Sequence, residues 1–187
     1  SSDVCSSDLG NITYEELDAY ELAYESEFDV AYSRFLLSHL QQPEVLLHRL
    51  ARSVRKGGKV IVEGMDFSGH FCHPSSDAFS AYVDHYSTVS RNNGQNPCIG
   101  LSLPGMFQDE PLLEGITFDV IQPCHHEGPG KWMAYNTMDK IKDTVLQQRL
   151  ADQAAIDKVL SDLKRFTTDD RSIISLPRIF RVTGVKR

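Results

Sequence analysis

The chain lacks the short motifs that mark several common enzyme classes. Its 187 residues contain no Gly-x-Gly-x-x-Gly loop after an apolar strand, no phosphate-binding P-loop and no Gly-x-Ser-x-Gly nucleophile elbow. The chain also has no Tyr-x-x-x-Lys pair, which together with the missing glycine fingerprint argues against a nicotinamide-dependent oxidoreductase. Function must therefore be inferred from the order of the secondary structure and from the residues that end each strand.

Basic charge, cysteine and long apolar runs are also scarce. The chain has 19 Lys and Arg residues against 26 Asp and Glu residues, and its net charge of −7 disfavours nonspecific binding to nucleic acid. Its four cysteines form no Cys-x-x-Cys pair, so we predict neither a disulfide framework nor a zinc knuckle and expect a reducing, cytoplasmic location. No apolar run reaches the roughly 18 residues that span a bilayer, and no signal peptide is recognisable.

The first nine residues, SSDVCSSDL, differ from the rest of the chain. They form a near-tandem repeat with no periodic apolar face, and they resemble translated sequencing-adapter sequence. We therefore expect residues 1–9 to be a non-native tail and residues 10–187 to form the domain. A native disordered tail is the alternative.

A strand–helix–strand unit dominates the first half of the sequence. Phe28–Ser33 is a short apolar strand, and Pro43 begins a helix at a position where the missing proline N–H costs nothing. Apolar residues at helical spacing predict that this helix continues to Lys56 and ends at the following Gly-Gly pair, one member of which has a positive φ. Lys59–Val62 is then predicted to be a strand buried on both faces, parallel to the first strand through a right-handed crossover.

Three segments of the sequence together resemble one enzyme family. They are FDVAYSRFLLSHL at the first strand, KGGKVIVEGMD at the second, and SLPRIFRVTGVKR at the end of the chain. In combination they are similar to the C-terminal half of class I S-adenosylmethionine-dependent methyltransferases. The resemblance implies an α/β fold with a truncated Rossmann-like methyltransferase sheet, and S-adenosyl-L-methionine as the cofactor. The glycine-rich loop that holds the methionine part of the cofactor in that family is absent, so we expect a partial domain.

The resemblance also implies cofactor-binding residues. Asn11–Leu17 is predicted as a strand that ends in Asp18 and Ala19, and in the family this Asp accepts a hydrogen bond from the adenine amino group while the Ala N–H meets a ring nitrogen. From the residues alone, an Asx turn is an equally good interpretation. Ser33 and Arg34 end the next strand, where ligands of open α/β sheets bind, and Arg34 would orient the cofactor carboxylate or an acidic substrate group.

His39 and Asp66 are the candidate catalytic residues. His39 follows the first strand, which in the family lies beside the transferring methyl group, and a histidine pKa near neutrality suits a general base. Asp66 follows the second strand and is the second candidate for that role. Structural alternatives exist, because His39 can cap or pack and Arg34 can form an ion pair that supports the fold.

The second half of the chain alternates predicted helices and strands. Good N-cap residues precede a helix over Ala78–Arg91, whose aromatic stripe lines either a substrate pocket or the core. A short helix begins at Leu101 and is closed by Gly115. The other predicted elements are a strand over Thr117–Pro123, helices over Thr137–Leu150 and Asp152–Phe166, and a strand over Arg178–Val185. Since the last two strands form an antiparallel pair in the family, we interpret residues 137–166 as an inserted helical cap beside the active site.

Two groups of potential metal ligands lie far apart in the sequence. They are His70, Cys72 and His73, and Cys124, His125 and His126. These side chains suit zinc or iron, but no standard ligand spacing is met, and we predict no metal site.

The predicted function is methyl transfer from S-adenosyl-L-methionine to a small-molecule acceptor in the intact protein, with no nucleic acid or membrane as partner. The acceptor atom and the oligomeric state stay open. The alternative is a non-catalytic α/β fragment that cannot bind the cofactor alone, because the glycine-rich loop that holds the methionine part is missing. In favour of this alternative, the strand Phe28–Ser33 would lack its family partner and become an open sheet edge, which promotes aggregation or pairing between copies.

Overall fold

The computed structural model describes residues 11–187, so the predicted tail at residues 1–9 lies outside the described part. The strands are β1 (Phe28–Arg34), β2 (Val54–Asp66), β3 (Cys72–His73), β4 (Leu113–Ile121), β5 (Cys124–His125), β6 (Ile173–Ser175) and β7 (Arg178–Lys186). The helices are α1 (Pro43–Ser53), α2 (Asp77–Asn92), α3 (Leu103–Asp109), α4 (Met133–Gln147) and α5 (Gln153–Thr167). Among the described residues, no helix is both long and apolar enough to cross a bilayer.

The β1–α1–β2 unit forms as predicted, with one early helix end. α1 begins at Pro43, and β1 runs parallel to β2. The prediction that the helix continues to Lys56 is wrong, because the helix ends at Ser53. Val54 is already part of β2, where it is fully buried and pairs with Phe28. Tertiary burial of this valine therefore outweighs the helical spacing of the residues around it.

A bulge near the start of β2 accommodates the residues that the sequence assigned to the helix. β1 and β2 pair at Phe28 with Val54 and again at Val30 with Lys59. Between these two pairs, Asp29 alone lies opposite residues 55–58 of β2, which include both glycines. Gly57 has a φ of +77°, so the predicted positive φ is confirmed, although it serves the bulge and not a helix end. A Cβ on Gly58 would lie 2.8 Å from the carbonyl oxygen of Arg55, which explains the second glycine. The Asp29 and Arg55 side chains form an ion pair across the bulge.

Four strands form the main sheet in the order β1-β2-β7-β4. Only β1 and β2 are parallel to each other, and the pairs β2–β7 and β4–β7 are antiparallel. The antiparallel arrangement of the final strand pair agrees with the expectation from the sequence. Among the described residues β1 pairs with β2 alone, so β1 is an edge strand.

One face of this sheet packs against helices, and the other is open. Val60 and Val62 of β2 are fully buried in a core that α1 and α3 complete. On the opposite face Val30 and Tyr32 of β1 are 50% and 55% exposed, and Ile61 is only partly buried. The prediction that Lys59–Val62 is buried on both faces is therefore wrong. In the described residues no helix covers the second face of the sheet. Buried and more exposed side chains therefore alternate along Lys59–Val62, as they do in a strand that is buried on one face.

The predicted strand over Asn11–Leu17 is absent from the structure. These residues pair with no described strand, and all of them are exposed. The alternating pattern of Ile12 and Tyr14 has no sheet edge to join here, and a strand without a ladder leaves its backbone groups to water. After this segment, Asp18 caps a short 3₁₀ helix over Ala19–Glu21. The Asx-type turn at Asp18 is therefore present, and the cofactor role that the resemblance implies for Asp18 stays a prediction.

A second core forms from α2, α4 and α5. Their apolar faces pack together with Phe67, which follows β2, and with Ile174 of β6. Beside these helices lies a small sheet in the order β3-β6-β5, which the sequence analysis did not predict. Its strands have only two or three residues, which is too short for a periodic pattern.

Several boundaries in the second half differ from the predicted ones. The helix expected from Leu101 starts at Leu103 as α3, and Gly115 does not close it. Gly115, with a φ of +60°, instead occupies a register shift within β4. β4 starts earlier than the predicted Thr117 because Leu113 is buried in the first core. Asp152, which was predicted as the first residue of a helix, is the N-cap of α5.

His70 is enclosed by aromatic rings of the second core. Its ring centroid lies 4.6 Å from that of Phe67, 5.5 Å from Phe79 and 5.8 Å from Tyr82. Both ring nitrogens are buried and have no hydrogen-bond partner among residues 11–187. Burial therefore lowers the pKa of His70 to about 4. The nearby Ser175 backbone acts in the opposite direction but with a smaller effect, and it is not aligned for a hydrogen bond.

We expect Val62→Ala to lower the free energy of unfolding by about 2 kcal/mol or more, because it leaves a cavity in the first core. Ile61→Ala removes more atoms from the same strand, but from the open face, and we expect a loss of about 1 kcal/mol or less. Urea denaturation of the two variants measures the difference. Both variants replace a β-branched residue of β2 by alanine, so the loss of β-propensity is similar in the two. Equal losses would mean that the second face is covered in solution.

We expect His70 to make the protein less stable in mild acid. The pKa of His70 is about 4 in the fold, against the 6.5 that is ordinary for histidine, so between these values the unfolded chain binds the extra proton. The free energy of unfolding then falls as the pH drops from 6.5 towards 4, by on the order of 3 kcal/mol. His70→Phe removes this contribution, and urea denaturation at several pH values checks it. An unchanged pH slope in the variant would show that His70 is accessible to protons in the fold.

Candidate functional site

A cleft of about 490 Å³ runs along the free side of β1 to its carboxyl end. Ligands of open α/β sheets bind outside the carboxyl ends of the strands, so its position suits a binding site. Three predicted cofactor-binding residues, Asp18, Ala19 and Ser33, line it together. Its other walls are mainly apolar or aromatic and come from the N-terminal segment, β1 and α1, including Leu22, Tyr24, Tyr32, Leu36, Leu46 and Leu50.

Asp18 is held in place by a turn that is tied to α1. Its Oδ1 accepts a hydrogen bond of 2.7 Å from the N–H of Tyr20, while its Oδ2 has no hydrogen-bond partner among the described residues. The Tyr20 hydroxyl accepts a bond of 3.1 Å from the Gln42 N–H at the start of α1. The Arg49 guanidinium donates to the carbonyl oxygen of Leu22 at 2.8 Å. Asp18 is therefore fixed by local and helical contacts, with one carboxylate oxygen left for a ligand.

The end of β1 has a buried, unpaired hydroxyl at Ser33 and a strained backbone at Phe35. The Ser33 hydroxyl lines the cleft, and its oxygen is buried with no hydrogen-bond partner in the part of the chain that the structure describes. Phe35 has a φ of +58°, which is strained for a bulky residue, and its N–H donates to the carbonyl oxygen of Glu63 at 2.8 Å. An orphaned buried hydroxyl and a strained turn at one strand end are features of ligand sites. The residues present therefore fit a polar ligand.

Glu63 is the centre of a charged cluster on the open face of the sheet. Its carboxylate accepts hydrogen bonds from Arg181 Nε at 2.7 Å and from the Tyr32 hydroxyl at 3.1 Å, and Arg34 Nε lies 3.1 Å away. Burial alone would raise the pKa of Glu63, but the bonds from Arg181 and Tyr32 and the two positive charges outweigh it. The pKa of Glu63 therefore lies below its ordinary value.

Arg34 thus contributes to an ion pair that joins β1 to the sheet. Arg34, Glu63 and Arg181 stand opposite one another on three adjacent strands, and Asp119 continues the row on β4. Charges alternate along this row, so each one has opposite neighbours. Arg34 does not line the cleft, and its guanidinium lies 4.8 Å from the centre of the Phe35 ring.

Asp66 lies at the carboxyl end of β2, as predicted, but it is fully buried. Its Oδ1 accepts bonds from the Ser68 N–H at 3.1 Å and from the Ser68 hydroxyl at 2.6 Å. Its Oδ2 lies 2.7 Å from Arg178 Nη2, in an ion pair that lacks hydrogen-bond alignment. Both oxygens are therefore occupied in holding the loop after β2 against the start of β7.

His39 is exposed at the end of a short 3₁₀ helix over Leu37–His39. Its N–H donates to the carbonyl oxygen of Leu36 at 3.0 Å, and Leu36 itself lines the cleft. The structure therefore gathers three of the predicted site residues, Asp18, Ala19 and Ser33. Arg34, His39 and Asp66 do not line that cleft.

The small sheet brings together the two groups of potential metal ligands. Cys72 of β3 and His125 of β5 both pair with Ile174, so they flank one strand. Within residues 11–187, no three His, Cys, Asp or Glu side chains are grouped so that they could hold a metal ion.

The sequence analysis missed Glu63 and Arg181. Glu63 directly follows the apolar run Val60–Val62, and Arg181 is a basic residue within another predicted strand. Charges that interrupt two apolar strands are the signal that could have predicted their pairing.

Residues 2–62 match the sequence model of a family described as methyltransferase domain. No curated protein sequence matches the chain.

Solved structures provide the structural comparison. The YcgJ protein of Bacillus subtilis is 14% identical with a TM-score of 0.52, and the similarity covers 92% of this chain and 70% of that one. A putative methyltransferase from Bacillus halodurans is 13% identical with a TM-score of 0.50, covering 94% of this chain and 78% of that one. Phosphoethanolamine N-methyltransferase 2 of Haemonchus contortus, in complex with S-adenosylhomocysteine, is 19% identical with a TM-score of 0.42. The chain spans 36% of the length of that nematode enzyme.

We expect Glu63→Gln to lower the free energy of unfolding at neutral pH by about 2–4 kcal/mol, because it leaves Arg34 and Arg181 without their shared carboxylate. Asp119→Asn, at the exposed end of the same row, should cost about 0.5 kcal/mol or less. Since the pKa of Glu63 is lowered in the fold, its contribution is present above the ordinary carboxyl pKa and is lost as the pH falls below it. Urea denaturation measures both effects, and equal losses in the two variants would contradict the central role of Glu63.

The family match and the structural similarity fall on overlapping parts of the chain. The part of the chain that contains Asp18, Ala19, Ser33 and Arg34 falls within the matched residues 2–62. The two bacterial structures share the fold over more than nine-tenths of this chain. The predicted α/β class is therefore confirmed, and the chain shares its fold with these two bacterial proteins, one of which is a putative methyltransferase.

Proposed function

We propose that this chain is part of an S-adenosylmethionine-dependent methyltransferase that acts on a small molecule. The observation that carries the proposal is the cleft beside β1, which gathers Asp18, Ala19 and Ser33 at the carboxyl end of a parallel strand. The family match over residues 2–62 and the fold support it. The net charge of −7 favours a small-molecule acceptor over nucleic acid.

Three residues of the cleft would hold the cofactor. The free Oδ2 of Asp18 would accept a hydrogen bond from an exocyclic amino group such as that of adenine. Ala19 has a small side chain, which allows a flat ring to approach its backbone N–H. The orphaned hydroxyl of Ser33 would bond a polar group of the ligand, which satisfies the buried oxygen. The cofactor supplies an electrophilic methyl group on a sulfonium when it is bound.

The protein contributes chiefly by positioning, since methyl transfer is a direct displacement between two bound groups. A base is needed only where the acceptor carries a proton that must leave. His39 is our first candidate, because it follows the end of β1 and is exposed. We assign Asp66 a positioning role ahead of a role as base, since its two oxygens already contact Ser68 and Arg178. Arg34 acts through Glu63, with which it is paired.

A second candidate is a non-catalytic α/β fragment that binds no cofactor by itself. Two observations favour it: the sequence has no glycine-rich loop, and β1 has a free edge where the cleft opens. An apolar free edge also promotes pairing between copies, which would compete with ligand binding.

Titration calorimetry of S-adenosylmethionine into the chain distinguishes the two candidates, with S-adenosylhomocysteine as a second ligand. If the proposal holds, we expect both ligands to bind and Asp18→Ala to weaken them by about 10- to 100-fold, the effect of a lost hydrogen bond to a charged group. Asp18→Asn keeps a good N-cap for the turn but removes the charge, so it separates loss of the ligand contact from loss of the turn.

Glu21→Ala is the matched control, because Glu21 belongs to the same 3₁₀ helix and does not line the cleft. We expect it to bind both ligands as the unaltered chain does. A folded chain that binds neither ligand would favour the second candidate. Binding that is unchanged in both Asp18 variants would remove Asp18 from the site.

A further inference from the structure

Strand β1 combines a free edge with exposed apolar side chains. Among residues 11–187 it pairs with β2 alone, and Phe28, Val30 and Tyr32 are all exposed on the open face of the sheet. The free side of an edge strand carries unpaired N–H and C=O groups, which can pair with a strand of another chain. An unpaired row of backbone groups beside exposed apolar side chains indicates an interaction surface.

The other edge of the main sheet, β4, is less suited to strand pairing. Its register against β7 shifts between Glu114 and Thr117, and such an irregularity interrupts the straight row of backbone groups that a new strand needs. β1 pairs with β2 without a shift from Val30 to Arg34, so this part of its edge is regular. One suitable edge in each copy favours a closed pair of chains over an open fibre.

The backbone of β1 limits how two copies can pair. Two identical edges related by a two-fold axis run antiparallel. The Phe35 N–H donates to Glu63 of β2, so the alternation of the strand directs the N–H and C=O groups of Val30 and Tyr32 to the free side. A two-fold axis at Ala31 places these two residues opposite each other as hydrogen-bonded pairs of a new ladder.

This register also joins complementary side chains on the open face. Val30 meets Tyr32 of the second copy, and such a pair of β-branched and aromatic residues stabilises antiparallel strands. Phe28 meets Arg34 of the second copy, where the guanidinium can lie against the ring. Asp29 stands near the start of β1 and Arg34 at its end, so antiparallel copies bring ends of opposite charge together.

We propose that β1 pairs with β1 of a second copy of this chain, antiparallel and about a two-fold axis at Ala31. The two four-stranded sheets then form one continuous sheet across the dimer. Pairing needs only the free edge, so the proposal goes beyond methyl transfer and does not depend on it. The cleft beside β1 lies on the same side of the strand, and the second copy would cover part of it.

Sedimentation of the unaltered chain without any ligand tests the proposal. We expect a reversible change from the 21.0 kDa of one chain to twice that mass as the concentration rises from about 1 μM to a few hundred μM. The mass of one chain at every concentration, or growth beyond the dimer, would overturn the proposal.

One substitution at each edge of the sheet locates the interface. Val30→Lys should weaken the dimer about ten-fold or more, because its ammonium group lies diagonally opposite Arg34 of the second copy. Val120→Lys is the matched control on β4, since Val120 is 48% exposed and Val30 is 50% exposed. We expect the control to dimerise as the unaltered chain does, and an equal loss in both variants would contradict pairing through β1.

A cysteine on the axis tests the register. Opposite residues of a pair without hydrogen bonds have Cα atoms about 4.5 Å apart, which a disulfide can bridge. Ala31→Cys should therefore cross-link two copies when oxidised glutathione is added, and the unaltered chain gives the background from the native cysteines. A dimer that shows no cross-linking above this background would overturn the axis at Ala31.

Amide hydrogen exchange of the unaltered chain keeps the test valid if a variant fails to fold. The Tyr32 N–H should exchange fast in the dilute single chain and slowly at concentrations where the dimer forms. Slow exchange at every concentration would mean that another part of the same chain covers the edge, and this result would overturn the proposal.

Discussion

The carboxylate of Glu63 is the interaction on which the main sheet depends. It is 5% exposed, and it receives Arg181 from β7 and both Arg34 and Tyr32 from β1. Among residues 11–187, β1 has a neighbouring strand on one side only, so its side-chain contacts to β2 matter more than those of a central strand. The same strand supplies Ser33 and Tyr32 to the cleft. The charge cluster on one face of the sheet therefore helps to fix the position of the cleft beside β1.

The described residues form two separate hydrophobic cores, and each core borders one cavity. The first joins α1 and α3 to one face of the sheet, and the cleft beside β1 borders it through Leu46 and Leu50. The second joins α2, α4 and α5, and a smaller cavity beside His70 borders it through Phe79. Phe67, directly after β2, belongs to the second core, so the loop that Asp66 anchors connects the two parts. The ion pair of Asp66 with Arg178 thus lies beside the connection between the two cores.

Interactions between residues close in sequence predicted most helices and strands, whereas contacts between distant residues determined where these helices and strands end. Pro43, the Ser76 cap of α2 and the β-branched run of β2 were readable because each acts within a few residues. The early end of α1 could not be predicted in this way, since it depends on the pairing of Val54 with Phe28 of β1, which lies far away in sequence. The same holds for the candidate site. The family resemblance predicted Asp18, Ala19 and Ser33, which lie around one cleft, whereas the ion pairs of Arg34 with Glu63 and of Asp66 with Arg178 depend on how β1, β2 and β7 are placed in the sheet.

The free edge of β1 has a consequence for its backbone. In a parallel pair, alternate residues of an edge strand direct their N–H and C=O groups towards the partner, and the residues between them direct theirs outward. In the single chain, amide hydrogen exchange along β1 should therefore alternate between slow and fast, while β2, paired with described strands on both sides, should be slow along most of its length. The outward groups lie where the cleft runs, so a bound ligand would meet main-chain donors and acceptors as well as the side chains of Asp18 and Ser33.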